Sequence, residues 1–248
     1  QSTEQRNTEN AALMTDSQNE ASAAALRELG YDVPAEIAVA SVDADGASAG
    51  QLQQGDVITS VDGTAVTSVD AIRSKVQDAA GGPVTVGFER GDVPGSAQVT
   101  PRETTTDGQT QYLLGVVLGI TFDLPVDVTI QLNDVGGPSA GMMFALGIID
   151  KMSPGDLTGG VHYAGTGTID ADGNVGPIGG IRQKLYGAVD AGATMFLAPE
   201  ANCNEVVGHV PDGLRVFSTS TLEQSLTVLE TVREGGDLDA LPTCGSGS

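Results

Sequence analysis

An alternating run, Val126-Asp127-Val128-Thr129-Ile130-Gln131-Leu132, leads through Asn133-Asp134-Val135-Gly136-Gly137-Pro138 to Ser139. Beyond Ser139 the chain is apolar on nearly every side, from Met142-Met143-Phe144-Ala145-Leu146 onward. Period-two alternation predicts a strand. An apolar segment without a polar face predicts a buried helix of about three turns. Ser139 therefore stands where a strand turns into a buried helix. Pro138 suits a helix start, and Gly136-Gly137 permit a tight approach. The first N–H groups of a helix have no intrahelical acceptor, so their neighbourhood favours developing negative charge. Two readings of Ser139 follow: an N-cap serine, or a nucleophile whose oxyanion those N–H groups receive.

The 248 residues suffice for one large domain or two smaller ones, each with its own core. Without tryptophan, those cores must be built from Val, Ile, Leu, Ala and Met. A net charge of −22 argues against nucleic acid and anionic membrane surfaces as partners, because phosphate binding needs clustered Lys and Arg. The acid excess itself speaks to solubility and marks no acidic site. Lysine is confined to Lys75, Lys151 and Lys184, so a lysine on a buried-looking helix face calls for a reason.

Along the chain, residues 1 to about 12 are polar and expected to be irregular. A helix is predicted from Ser17 to Leu29, capped by Gly30. Strands follow at 37–42 and 55–61, the second closed by the hairpin signal Asp62-Gly63. Thr67 with Asp70 predicts a capped helix carrying Val69, Ile72, Val76 and Ala79, and Val84 to Arg90 predicts another strand. Thr104 to Gln111 reads as a linker. Strands are predicted again at 112–118, 163–169, 195–199 and 214–217. Helices are predicted from Ile181 to about Ala191, and after Ser220 with Glu223 as its cap.

In the first of those last two helices, Ile181, Leu185 and Ala188 share a face, and Lys184 falls on the same face. Two readings stand here as well. The amine snorkels to water, or it is held in the first turn, where desolvation and the positive helix end lower its pKa. A lysine neutral near physiological pH can take a proton from a serine hydroxyl.

Gly55-Asp56-Val57-Ile58 and Val61-Asp62-Gly63, ahead of a helix and a strand ending in Arg90, resemble a PDZ domain of the bacterial protease-associated kind. The resemblance covers about residues 36 to 102 and implies binding of extended peptide ends by strand addition. Leu29-Gly30-Tyr31 is the candidate carboxylate-binding loop, against a plain helix end. Gly137-Pro138-Ser139-Ala140-Gly141, then Thr166-Gly167, then Pro177-Ile178-Gly179-Gly180-Ile181-Arg182-Gln183-Lys184 resemble the proteolytic domain of the Lon family. That resemblance implies a serine protease with Ser139 as nucleophile, Lys184 as general base and Thr166 orienting the lysine. It further implies polypeptide substrates, no cofactor, a homo-oligomeric six-membered ring, and anchoring to a membrane by a segment absent from this chain.

The chain departs from the family at two points. Gly136 stands where the family has an acidic residue, and no Gly-x-x-x-x-Gly-Lys-Ser/Thr stretch occurs, so cleavage is expected to be ATP-independent and limited to unfolded or exposed segments. The expected class is α+β. The expected organisation is an N-terminal polar tail and helix (1–35), a PDZ-like β-rich domain (36–103), a linker (104–111), a Lon-like α/β proteolytic domain (112–244) and a tail (245–248).

Cys203 and Cys244 are either free thiols or one disulfide closing a loop across the last helix. The bridge is the expectation, and it favours an oxidising, extracytoplasmic compartment. His162 and His209 suit neither a triad nor, with the cysteines, a metal site. Asp43, Asp45, Asp170 and Asp172 read as turn residues. A rival function is a non-catalytic PDZ adaptor on a protease-like scaffold. That role would not require Ser139, Thr166 and Lys184 together.

Overall fold

A computed structural model describes residues 3–91, 93–106, 109–131 and 137–245. The chain divides into two compact units, Pro34–Asp123 on one hand and Gln1–Val33 with Leu124–Ser248 on the other. The α+β class holds, with a sheet-rich unit inserted in sequence into a mixed α/β unit.

The chain opens with α1 (Thr3–Glu28). The irregular start expected for residues 1 to about 12 is corrected from Thr3 onward, residues 1 and 2 lying outside the described residues: no Gly or Pro precedes Gly30, so a helix packed over its second half propagates backwards. At its other end, Gly30 N–H donates to Arg27 C=O and Tyr31 N–H to Leu26 C=O, both at 2.9 Å, while Leu29 N–H donates to Ala25 C=O at 3.0 Å. This is a Schellman cap. It takes up all three N–H groups of Leu29-Gly30-Tyr31, so this segment is a helix end and not a carboxylate-binding loop.

The inserted unit contains β1 (Ala35–Val42), β2 (Val57–Val61), β3 (Thr64–Ala65), α2 (Val69–Asp78), β4 (Val84–Arg90), β5 (Val93–Val99), β6 (Arg102–Thr106), β7 (Gln109–Leu113) and β8 (Val116–Phe122). An antiparallel sheet runs β5-β4-β2-β1-β8, with β3 folded back on β2 through Asp62-Gly63. Val39, Val61, Val84, Val86 and Val99 form its core with Ile72 and Val76 of α2. The cap of α2 is Ser68, not Thr67: Ala71 N–H donates to Ser68 Oγ at 3.1 Å. Asp56 is fully buried and accepts from Arg90 Nε at 2.6 Å, Arg90 Nη2 at 2.8 Å and Gln53 N–H at 2.8 Å. The Arg90 guanidinium holds its carboxyl below the usual carboxylate range.

Two expected boundaries are corrected here. Within the linker expected at 104–111, residues 104–106 and 109–111 belong to the antiparallel strands β6 and β7, with Thr105 opposite Thr110; β-branched threonines suit a pleated strand. Residues 112–123 were expected in the proteolytic domain, but β8 pairs along β1, from Ala35 opposite Phe122 to Val42 opposite Val116. An alternating pattern reports which side chains face a core, not which sheet the strand joins.

The other unit continues with a 3-10 turn (Pro138–Ala140), α3 (Gly141–Met152), β9 (Tyr163–Gly165), β10 (Thr168–Ile169), β11 (Val175–Gly176), α4 (Ile181–Asp190), β12 (Met195–Pro199), a 3-10 turn (Glu200–Asn202), α5 (Cys203–Val206), β13 (Arg215–Thr219) and α6 (Leu222–Arg233). Strands β13, β12 and β9 form a parallel sheet, and β10–β11 is a hairpin. Met142, Ala145, Leu146 and Ile149 of α3 are buried in one core with Ala21, Ala24 and Ala25 of α1 and Leu222, Val228 and Leu229 of α6. The three alanines, at i, i+3 and i+4, let the helix backbones approach closely. Each fully buried large side chain contributes roughly 1.5–3 kcal/mol. A second core holds Ile181, Leu185 and Ala188 of α4 against Phe196, Val206 and Val216.

The strand expected at 126–132 is also corrected. Val126, Val128 and Ile130 are half-buried and Asp127, Thr129 and Gln131 exposed, so the alternation is present, but residues 126–131 join no ladder among the described residues. Leu132 and Gly136 lie outside the described residues. The cap of α6 is Thr221, whose Oγ1 accepts from Gln224 N–H at 3.1 Å, and not Ser220, whose hydroxyl donates to Gln224 Oε1 at 3.0 Å.

Candidate active site

Gly137, at φ 86°, turns the chain into the 3-10 turn that carries Ser139, a conformation that favours glycine. The Ser139 carbonyl accepts two bonds, from Thr166 Oγ1 at 2.8 Å and from Gly167 N–H at 2.9 Å. Met142 N–H in turn donates to Gly167 C=O at 3.1 Å. The start of α3 is thereby fastened to the turn between β9 and β10. From the opposite side, buried Ser17 of α1 donates to Pro138 C=O at 3.2 Å. Contact there is close: a Cβ on Gly141 would lie 2.9 Å from Ser17 Oγ and 3.0 Å from Ile169 Cγ2.

On α4, Ile181, Leu185 and Ala188 are buried, Arg182 and Gln183 are exposed, and Lys184 is half-buried. Its Nζ donates to Ser139 Oγ at 2.9 Å and to Thr166 Oγ1 at 3.1 Å. The structure thus brings together Ser139, Thr166 and Lys184, from three separate segments. Burial pushes the Lys184 pKa below the ordinary lysine value of 10.5. Thr166 is 1% exposed. With its one hydroxyl proton given to the Ser139 carbonyl, it offers Lys184 only a lone pair. A neutral amine that donates to Thr166 can point its own lone pair at the serine hydroxyl. That arrangement is able to withdraw a proton from Ser139.

Residues 129–232 match the model of the Lon protease (S16) C-terminal proteolytic domain, and residues 8–100 match the PDZ domain model. The chain carries a PDZ domain and a Lon-type proteolytic domain. Lon protease 2 of Herpetosiphon aurantiacus is 37% identical over 94 residues, which are 36% of this chain and 11% of that protein. Lon protease 2 of Bacillus subtilis is 30% identical over 132 residues, 50% of this chain and 23% of that protein. The chain thus spans less than a quarter of the length of these relatives. Among solved structures, the PDZ domain of the SdrC-like protein from Listeria monocytogenes is 27% identical, covering 34% of this chain and 86% of that one at a TM-score of 0.29.

In the Lon-type domain, Cys203 and Cys244 form a disulfide with Cα atoms 4.9 Å apart, tying α5 to the C-terminal segment. The histidines lie apart from Ser139 in their contacts: His162 lines a cleft with Met143, Leu146 and Tyr163, and the His209 ring meets Val207 C=O. Asp43 and Asp170 accept backbone N–H bonds within their own turns. Two side chains that support the site were not singled out from sequence. Ser17 is one. The other is Asn202, whose only local signal is an amide three residues after the buried β12 run.

Proposed function

We propose that this chain is a serine endopeptidase that cuts unfolded or exposed polypeptide segments without ATP, using Ser139 as nucleophile and Lys184 as general base. The observation that carries this reading is the 2.9 Å approach of the half-buried Lys184 amine to Ser139 Oγ. Neutral Lys184 takes the Ser139 proton as Oγ attacks the scissile carbonyl. Backbone N–H groups at the start of the Ser139 helical segment, after Pro138, which has none, receive the oxyanion. Lys184 then gives the proton to the leaving amine, which departs to leave an acyl-enzyme. It next deprotonates water for hydrolysis of the ester. Thr166 holds the amine and the Ser139 carbonyl in one frame.

The test is hydrolysis of an unfolded protein such as casein by the wild type and by Ser139→Ala, without nucleotide. Ser139-dependent cleavage is expected, and an equally active Ser139→Ala would refute the assignment. The reading extends to a homo-oligomeric ring of six, motivated by the Lon-type domain. A sedimenting mass six times that of the chain is expected, and a monomer at high micromolar concentration refutes it. It also extends to an extracytoplasmic, membrane-anchored location, which the disulfide supports. Among the described residues no helix is long and apolar enough to cross a membrane, so the anchor would lie outside them. Detection of the protein in the soluble cytoplasmic fraction alone would refute that location.

A further inference from the structure

Lys184 lies in the first turn of α4, and the start of that helix is not held by an ordinary cap. Its N-cap is Gly180, with no side-chain cap bond. The segment that leads in, Pro177-Ile178-Gly179-Gly180, belongs to no strand. A side chain from elsewhere supplies the hold. Asn202, 2% exposed, closes the 3-10 turn after β12. Its Oδ1 accepts from Ile178 N–H and its Nδ2 donates to Ile178 C=O, both at 2.9 Å. One amide thus satisfies both backbone groups of a buried residue, as a neighbouring strand would.

The amide is itself held. Nδ2 also donates to Glu205 Oε1 at 2.9 Å. Arg182, in the same turn of α4 as Lys184, donates from Nε to Glu205 C=O at 3.1 Å. Cys203, next to Asn202, is bonded to Cys244. Ile178 and Ile181 on one side and Val206 on the other share one core. The short platform from Glu200 to Val206 therefore fixes the approach to α4 at two points, Ile178 and Arg182.

We propose that Asn202 is a positioning residue for the Ser139–Lys184 pair: by clamping both polar groups of Ile178 it sets where α4 begins, and so where the Lys184 amine stands. This rests on the dyad assigned above. Misplacing a reacting group by about 1 Å can reduce a rate by roughly 100-fold. The clamp touches neither substrate nor the reacting atoms, so its loss falls on kcat.

The test compares wild type and Asn202→Ala. On casein, kcat is expected to fall by about 10- to 100-fold, with KM nearly unchanged. A second readout does not require cleavage. The chain has only three lysines, so 13Cε-lysine labelling gives three signals, and Lys184→Met assigns the one of interest. In Asn202→Ala the Lys184 titration is expected to move toward the ordinary lysine value while Lys75 and Lys151 stay in place. Simple loss of stability would lower the folded fraction without shifting one lysine in the molecules that remain folded. If the wild type shows no Ser139-dependent cleavage, the dyad fails, and the lysine spectrum still reports on the clamp. Should Asn202→Ala not fold, Glu205→Ala removes the support of the amide and leaves the Arg182 contact with the backbone. It is expected to lower kcat several-fold. Unchanged kcat and an unchanged Lys184 titration, in whichever variant folds, overturn the proposal.

Discussion

Replacing Cys203 and Cys244 together by serine opens a loop whose ends are 41 residues apart in sequence. The chain-entropy relation for a loop of that length gives about 3.9 kcal/mol at 25 °C. Measured bridges often deliver less, so a loss of about 2–4 kcal/mol is the expectation. The bridge holds more than a chain end. Ser218 N–H donates to Pro242 C=O at 2.9 Å, and Cys244 packs on the core that contains Ile181 and Leu185. At about 2–4 °C per kcal/mol for a domain of this size, the midpoint should drop by roughly 4–16 °C. Scanning calorimetry on the wild type, the double variant and the reduced wild type is the assay. Both cysteines belong to the α/β unit, so its transition should move, and the variant and the reduced protein should move together. A midpoint within about 1 °C of the oxidised wild type would mean the bridge restricts nothing in the unfolded chain. Two titratable thiols in unreduced, denatured protein would remove the bridge altogether.

Lys184→Arg should lose about 100-fold or more of kcat on casein, because a guanidinium keeps its proton; near-full activity would disprove the dyad. On the proposed dyad the neutral amine is the active form, so activity of the wild type should rise with pH through a Lys184 pKa that lies below 10.5, and a flat pH profile would contradict this. Thr166→Val keeps the shape but loses the hydroxyl, and should be several-fold to about tenfold slower than wild type yet faster than Lys184→Arg, as ranked by initial rates. In the PDZ unit, the Asp56 pKa is lowered on folding, so its stabilisation is present above 3.8 and lost as pH falls through the folded value. Asp56→Asn should therefore melt earlier than wild type at pH 7, and the gap should close in acid; a gap independent of pH would show that the Arg90 pairing is not its source.

Much of this was legible in residues because it is local. The Asp62-Gly63 hairpin, the apolar α3 and the face shared by Ile181, Lys184 and Leu185 depend on spacings of a few positions. Both misplaced caps fell one residue early, at Thr67 and Ser220, where adjacent hydroxyls compete and only backbone geometry selects Ser68 and Thr221. What was not legible is long-range. Nothing in Val116–Phe122 announces that its partner is β1, 87 positions earlier for Ala35 and its opposite, Phe122. The link from Ser17 to Pro138 spans 121 positions and that from Asn202 to Ile178 spans 24. A single polar residue in an otherwise ordinary helix or turn gives no pattern from which such a partner can be read.

The electrostatics of the site follow from burial. Lys184 owes its lowered pKa to burial. A carboxylate nearby would favour the ammonium form and work against that effect. In a chain with 33 Asp and Glu residues, the amine's hydrogen-bond partners among the described residues are both hydroxyls. Both oxygens it touches, Ser139 Oγ and Thr166 Oγ1, are neutral acceptors. Burial thus takes the role that a neighbouring acid plays in a histidine triad, but with the opposite sign. The acid in a triad stabilises a charged base once it has formed, whereas desolvation here favours the uncharged base before the reaction begins. On the proposed Ser139–Lys184 dyad, the base depends on packing around the amine, so the supports from α1, Thr166 and Asn202 would bear on the chemistry as much as on the fold.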